Sequence, residues 1–264
     1  MTADSSAERY GDVLFSSGRQ GERKRLDGLA SALDPVSREV LRSLGVTDRP
    51  GLRCLELGAG TGTVGEWLAR TAGAHVTAVD RDPVFLTARP GEFDVVRADL
   101  AAPGFRPGRF DLVHARLVVM HVREREELLP RLADWLRPGG LLVLSDATAV
   151  PEDELLHPGY RQVVLATNRM MEEVVGSDLG IADRYERIFA DLGLTGIGTR
   201  LDHPLVGADP GYTVFARETV RQAGEHLAGR GITPETLAEV LDHMARPGTR
   251  ERFFGVRTTW GRKP

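Results

Sequence analysis

Five short apolar runs, each followed by a turn and a helical pattern, constrain this chain more than any other feature. "LRCLELGA" (Leu52 to Ala59), "HVTAVDRD" (His75 to Asp82), "FDVVRADL" (Phe93 to Leu100), "FDLVHAR" (Phe110 to Arg116) and "GGLLVLSDA" (Gly139 to Ala147) read as strands. They are nearly continuous in apolar residues, which is the pattern of strands covered on both faces. Between them, Val64 to Thr71, Pro83 to Ala88 and Arg123 to Arg137 read as helices, with a kink or late start expected at Pro130. Repeated β-α order at this spacing predicts a parallel, doubly wound α/β sheet.

Outside this block the pattern is helical. Gly21 to Gly45 predicts two helices broken near Asp34-Pro35, with Gly45 as a C-cap. Beyond it, His157 to Gly176, Ile181 to Gly193 and Tyr212 to Met244 read as helices, Thr195 to His203 as a strand, and Arg252 to Arg262 as a closing strand. The organisation expected is one domain over 1–264: an N-terminal helical lid over 1–50, a core over 51–147, cap helices with a sixth strand over 148–250, and a final strand over 251–264.

Composition excludes more than it identifies. The 264 residues are 41% hydrophobic and carry a net charge of −4, so nothing favours nucleic acid or an anionic membrane. No apolar run is long enough to span a bilayer and the first residues lack a signal-peptide core, so a cytoplasmic location is expected. The single cysteine, Cys54, reads as a small buried hydrophobe, and no Cys/His pattern at zinc spacing appears, so no metal is expected. Only Lys24 and Lys263 are lysine, which reads as coding bias.

The chemistry gathers after the first strand. Gly58, Gly60 and Gly62 form G-x-G-x-G, a turn in which small residues let backbone N–H groups approach a ligand. Asp80 ends the second strand and Asp99 the third, where carboxylates can reach a nucleoside. Glu56 lies inside an apolar strand, and a buried carboxylate requires a partner, for which a ligand amino group is suited. A dinucleotide fingerprint needs a small residue at position 63, where this chain has Thr63.

"LELGAGTG", "AVD", "RADL", "FDLVHARLVVMHV" and "LRPGGLLVLSD" stand in the order typical of class I S-adenosylmethionine-dependent methyltransferases, and the chain resembles their bacterial natural-product branch. The resemblance covers about Leu52 to Asp146, and more loosely the "WGRKP" tail. It implies a Rossmann-like sheet of seven strands, the last antiparallel, with helical cap elements, S-adenosylmethionine as cofactor, and a small-molecule acceptor such as a secondary metabolite. By the same resemblance Glu56, Gly58, Ala59 and Gly60 line the methionine and sugar, Asp80 takes the ribose, and Arg81 lies beside the adenine. Asp99 and Leu100 meet the adenine, while Ala115 and Arg116 face the methyl group and substrate. Tyr10 and Arg25 are candidates for a lid over the cofactor, with Phe15, Tyr160 and Tyr212 in segments able to fold over the site, while Met170 and Met171 suit an adaptable apolar pocket or ordinary helix packing.

Methyl transfer from a sulfonium is an in-line displacement that positioning can accelerate without metal or covalent intermediate. A base is needed only where the acceptor must lose a proton. His121, just beyond the fourth strand, is the leading candidate, ahead of His114 and His157; Arg116 suits an anionic or carbonyl group, or a structural salt bridge. A nicotinamide-dependent oxidoreductase is disfavoured by Thr63 and by the absence of a Tyr-x-x-x-Lys pair. A protein that binds S-adenosylmethionine but catalyses another reaction, such as a cyclisation, stays open, as does the choice between monomer and homodimer.

Overall fold

The computed structural model describes residues 9–86 and 93–264. The chain passes through turns over 10–21 and enters helix α1, Glu22–Ser43. Strand β1 (Arg53–Leu57), helix α2 (Thr63–Ala72), strand β2 (His75–Asp80), a short 3-10 turn (Pro83–Phe85) and strand β3 (Asp94–Arg97) follow. The expected helix over Pro83 to Ala88 is described only in this 3-10 turn, because its last two residues lie outside the described residues. Strand β4 (Phe110–Arg116), helix α3 (Arg125–Asp134) and strand β5 (Leu136–Thr148) complete the alternating part.

The remaining chain supplies α4 (Pro158–Met170), α5 (Tyr185–Asp191), β6 (Thr195–Asp202) and a two-residue β7 (Leu205–Val206). Three helices come next: α6 (Pro210–Gln222), α7 (Gly224–Ala228) and α8 (Pro234–Ala245). A two-residue β8 (Glu251–Arg252) pairs with β7, and β9 (Gly255–Arg262) closes the main sheet. Local chemistry starts these helices: the side chains of His157, Asp209 and Thr233 each accept a backbone N–H at the N-terminus of α4, α6 and α8, and each is followed by proline.

The seven-stranded sheet has the order β3-β2-β1-β4-β5-β9-β6. Strands β1 to β5 pair parallel with one another, and β9 runs antiparallel to both β5 and β6. Helix α3 and the segment through α5 cover one face, around Leu128, Leu132, Tyr185 and Phe189. Helix α2 and the end of α1 cover the other, around Leu41, Val64, Trp67 and Leu68. The order reverses between β1 and β4, so a crevice opens at their carboxyl ends, the position where such sheets bind ligands. Above it, a third core joins α1, α4, α6 and α8 through Leu33, Tyr160, Tyr212, Phe215 and Val240.

Three expectations are corrected. Helix α1 runs unbroken through Pro35, although proline removes one helical hydrogen bond. Asp34 and Ser37, on either side of it, both accept from the Arg116 guanidinium at 2.9 Å, and Leu33, Val40 and Leu41 are buried, so tertiary bonds offset the local cost. Helix α3 begins at Arg125 and continues past Pro130, so it does not start late at the proline. The helical pattern to Gly176 changes hand-over at Met170: Met171–Val175 forms one π-helical turn.

The close crossing of α1 and α6 depends on glycine on both sides. A Cβ on Gly28 would stand 2.8 Å from the Gly211 carbonyl oxygen, and a Cβ on Gly211 would stand 2.8 Å from that of Gly28. Backbone therefore packs on backbone, and α1 makes its most extensive contacts with α6. No helix among the described residues is long and apolar enough to cross a membrane.

Candidate active site

Strand β1 delivers the chain into the loop Gly58–Gly62, where Gly58, Gly60 and Gly62 have φ of 58°, 57° and 78°. Gly58 is tightly specified: a Cβ there would meet Val118 Cγ2 at 2.3 Å as well as straining the left-handed backbone. The Ala59 N–H donates to the Val79 carbonyl at 3.1 Å, tying the loop to β2. Asp80, at the end of β2, accepts the Gly60 N–H on Oδ2 and the Asp82 N–H on Oδ1, each at 2.9 Å. Burial raises the Asp80 pKa, and these two N–H groups oppose the shift. An ionised carboxylate has about four acceptor sites, so Asp80 retains capacity for a ligand hydroxyl.

Asp99, just beyond β3, accepts the Ala101 N–H at 2.9 Å and pairs with Arg9 at 2.7 Å. Arg9 also reaches Glu124 at 3.1 Å. Arg81 donates to the Tyr10 carbonyl and pairs with Asp12 at 2.6 Å, and Ser17 Oγ donates to Asp82. The segment from Arg9 to Ser17 is thus strapped over the carboxyl ends of β2 and β3 by side chains of both. Tyr10 stacks on the His121 ring at 4.1 Å, and its hydroxyl accepts from Arg25. Arg25 is buried, paired with Glu22 at 2.7 Å, and lies 4.3 Å from the Phe15 ring centroid.

Together these groups wall a cavity of about 320 Å³. Glu56, Gly58, Ala59, Gly60, Asp80, Arg81, Asp99 and Leu100 line it, as do Tyr10, Arg25, Arg116 and His121. Ala115 does not; its side chain is buried in the sheet core, and Leu117 and Val118 line the cavity in its place. Leu117 has φ of 54°, and Phe15, also on the wall, has φ of 62°; no other described non-glycine residue has positive φ. Such strain persists where surroundings over-determine it, and both instances lie on this one cavity.

Three candidate residues have their partners within the protein, and only at Glu56 does the partner differ from the one expected. The Glu56 carboxylate, expected to await a ligand amino group, accepts from His114 Nδ1 at 2.8 Å across the β1–β4 pairing. The Arg116 guanidinium is taken up by Asp34 and Ser37. His157 caps α4 and stacks on His243 at 4.1 Å, outside the cavity. Tyr160 and Tyr212 are core residues whose hydroxyls donate to the carbonyls of Arg252 and Phe254.

Sequence reasoning missed Arg9, Asn168, Phe215, Phe253 and Phe254, which line the cavity from the strap, α4, α6 and the turn before β9. No motif marks them, since they are spread over four elements distant in sequence. The apolar end is formed by Leu26, Leu29, Phe215, Phe254 and Met171. The Asn168 carboxamide there forms no hydrogen bond with any described residue.

The Leu117–Val118 turn is held from beneath by Asp146. Its Oδ1 accepts the Val118 N–H at 2.9 Å and its Oδ2 accepts the Tyr185 hydroxyl. Burial pushes the Asp146 pKa up to about 7, against the lowering effect of the Tyr185 bond. Between about pH 4 and about 7 the folded chain keeps a proton that the unfolded chain, with a carboxyl pKa of about 3.9, has released. Stability therefore falls as pH rises through this window. Urea melts of the wild type and Asp146→Asn are expected to show a wild-type loss on the order of a few kcal/mol between those limits, absent in the variant. Parallel pH profiles would refute it.

Residues 55–144 match the family described as a methyltransferase domain. That span carries the glycine loop, Asp80, Asp99 and His121. This match supports an S-adenosylmethionine-dependent methyltransferase. No curated protein matches the chain in sequence. Among solved structures it is similar to Haemonchus contortus phosphoethanolamine N-methyltransferase 2 with phosphomonomethylethanolamine and S-adenosylhomocysteine, at 17% identity and a TM-score of 0.53. That match covers 82% of this chain and 49% of the other, so the chain spans about half the length of that enzyme. It is also similar to the cyclopropane synthase MmaA2 from Mycobacterium tuberculosis, at 15% identity, TM-score 0.55, covering 86% and 83% of the two chains. A third is the [4+2]-cyclase SpnF, at 15% identity, TM-score 0.51, covering 92% and 97%. These likenesses are of fold. Within the matched span, the glycine loop, Asp80 and Asp99 all line the same cavity.

Proposed function

We propose that this chain transfers the methyl group of S-adenosylmethionine to a small, largely apolar organic molecule. The observation that carries the reading is the make-up of this cavity. Its sheet end presents Gly58–Gly60, Asp80 and Asp99, a set suited to a nucleoside bearing an amino acid, and its cap end presents aromatic and aliphatic side chains. The charges on its wall are satisfied within the protein: Glu22 with Arg25, Arg116 with Asp34, Arg81 with Asp12, and Arg9 with Asp99. A strongly charged acceptor would have to break one of these pairs, whereas an apolar one needs only the aromatic wall and a polar anchor such as Asn168 or His121.

In this reading the Gly58–Gly60 loop lies against the methionine and sugar, Asp80 accepts from the ribose hydroxyls, and Asp99 and Leu100 border the adenine. Arg81 and Arg9 act on the strap, Tyr10 and Arg25 form its underside, and Arg116 braces α1 against β4. A role in secondary metabolism, a cytoplasmic location, one domain over 1–264 and a monomeric or homodimeric state belong to the same reading.

Similarity in fold to a [4+2]-cyclase gives the cyclisation alternative a concrete basis. Incubation of the full chain with S-adenosylmethionine and a panel of amines, phenols and enols, including ones acidic enough to be ionised near neutral pH, read by mass spectrometry, separates the two. A product heavier by one methylene unit with matching S-adenosylhomocysteine is expected. Isomerisation of an acceptor with the donor left intact would establish the cyclisation alternative instead.

A further inference from the structure

His121 lines the cavity, but its Nδ1 is not turned toward it. Nδ1 lies 2.8 Å from the Ser177 hydroxyl, and Ser177 does not line the cavity, so Nε2 is the ring nitrogen left to a ligand. The placement of Ser177 is heavily determined. It follows the π-helical turn Met171–Val175 and Gly176, and its own N–H donates to the Met171 carbonyl at 3.0 Å. The next residue's N–H, of Asp178, donates to the Met120 carbonyl at 2.8 Å, and Arg125 donates to the Gly176 carbonyl. A π-turn, a glycine and two bonds back to the His121 turn thus serve to bring one hydroxyl to one imidazole nitrogen, and such turns recur at functional sites.

The direction of that bond follows from proton accounting. Ser177 is buried, and among the described residues its hydroxyl has no hydrogen-bond partner other than His121 Nδ1. If Nδ1 carried a proton, the serine O–H would be left as a buried donor with nothing to accept it, which is costly. If Nδ1 is bare, the O–H donates to it and both groups are satisfied. The proton of the neutral ring then resides on Nε2.

We infer that Ser177 is a positioning residue that fixes His121 as the Nε2–H tautomer, so that the ring offers a donor to an anionic oxygen of the methyl acceptor. This rests on the methyltransferase reading and narrows its substrate class to acceptors with an ionised enol or phenol oxygen. His121 then serves as a hydrogen-bond donor, not as the general base that its position in sequence suggests. For an acceptor that enters already ionised the step balances without it: a bond forms between the acceptor oxyanion and the methyl carbon, the carbon–sulfur bond breaks, its electron pair stays on sulfur, and no proton moves. Burial, with Arg25 and Arg125 nearby, lowers the His121 pKa to about 3, which keeps the ring neutral and unfit to take a proton.

The experiment is long-range proton–nitrogen correlation NMR on the full-length, ¹⁵N-labelled chain near neutral pH, with His121 assigned from its absence in His121→Asn. The expected spectrum shows a bare Nδ1 and a protonated Nε2. Ser177→Thr should retain that pattern, and Ser177→Ala should lose it to a mixture of tautomers. A protonated Nδ1 in the wild type, or a pattern unchanged in Ser177→Ala, overturns the inference. The wild-type spectrum decides the tautomer even if a variant fails to fold. It requires no turnover, so its failure is distinct from that of the methyltransferase reading, which stands on the product assay.

Discussion

Asp80→Ala is expected to weaken S-adenosylmethionine binding by about 100-fold. Two losses combine. The variant removes the carboxylate proposed to accept from the ribose, and a hydrogen bond to a charged group is worth about 1.5–3 kcal/mol, where tenfold in affinity is about 1.4 kcal/mol. It also frees the N–H groups of Gly60 and Asp82, both now held by that carboxylate at 2.9 Å, so the loop must be ordered anew by the ligand. Asp80→Asn keeps one acceptor oxygen but not the charge, and should fall between the two. Isothermal titration with S-adenosylhomocysteine measures all three. Alanine binding as tightly as wild type would remove Asp80 from the site.

The second large effect concerns folding. Glu56→Ala is expected to destabilise the chain by about 3–5 kcal/mol, because breaking a buried pair leaves its partner unsatisfied in the interior. Glu56 and His114 are register partners on the two central strands, and both are almost fully buried. Replacing both with leucine should recover much of the loss, since a buried pair contributes little over an apolar one of similar size. Thermal melts in the absence of cofactor test this. If the double variant is as unstable as Glu56→Ala, the carboxylate has a structural role beyond His114.

The strands were readable because each is a run of apolar residues with both faces covered, and nothing remote is needed to see that. The partner of Glu56 was not. Knowing that His114 stands opposite requires the β1–β4 register, which depends on packing between segments 58 residues apart. Pro35 misled for the opposite reason: its local preference is real, and the bonds from Arg116 that override it come from a strand 79 and 82 residues away in the sequence from Ser37 and Asp34. Strands β7 and β8 have two residues each, too short to leave any periodic trace. In the site, Asp80 and the glycine loop were visible because they sit together at strand ends. Phe253, Phe254, Phe215 and Asn168 were not, because only folding brings the turn before β9 and two cap helices to the same wall.

The glycine crossing of α1 and α6 bears on how such enzymes are recombined. With Gly28 and Gly211 each set against the other's carbonyl oxygen, neither helix tolerates a side chain from a foreign partner at that point. A chimera that borrows the cap helices from a relative but keeps this chain's first helix would bring together two surfaces never matched to each other. The exchangeable module is discontinuous: the first helix must travel with the helices that follow β5, although some 100 residues of sheet lie between them in the sequence.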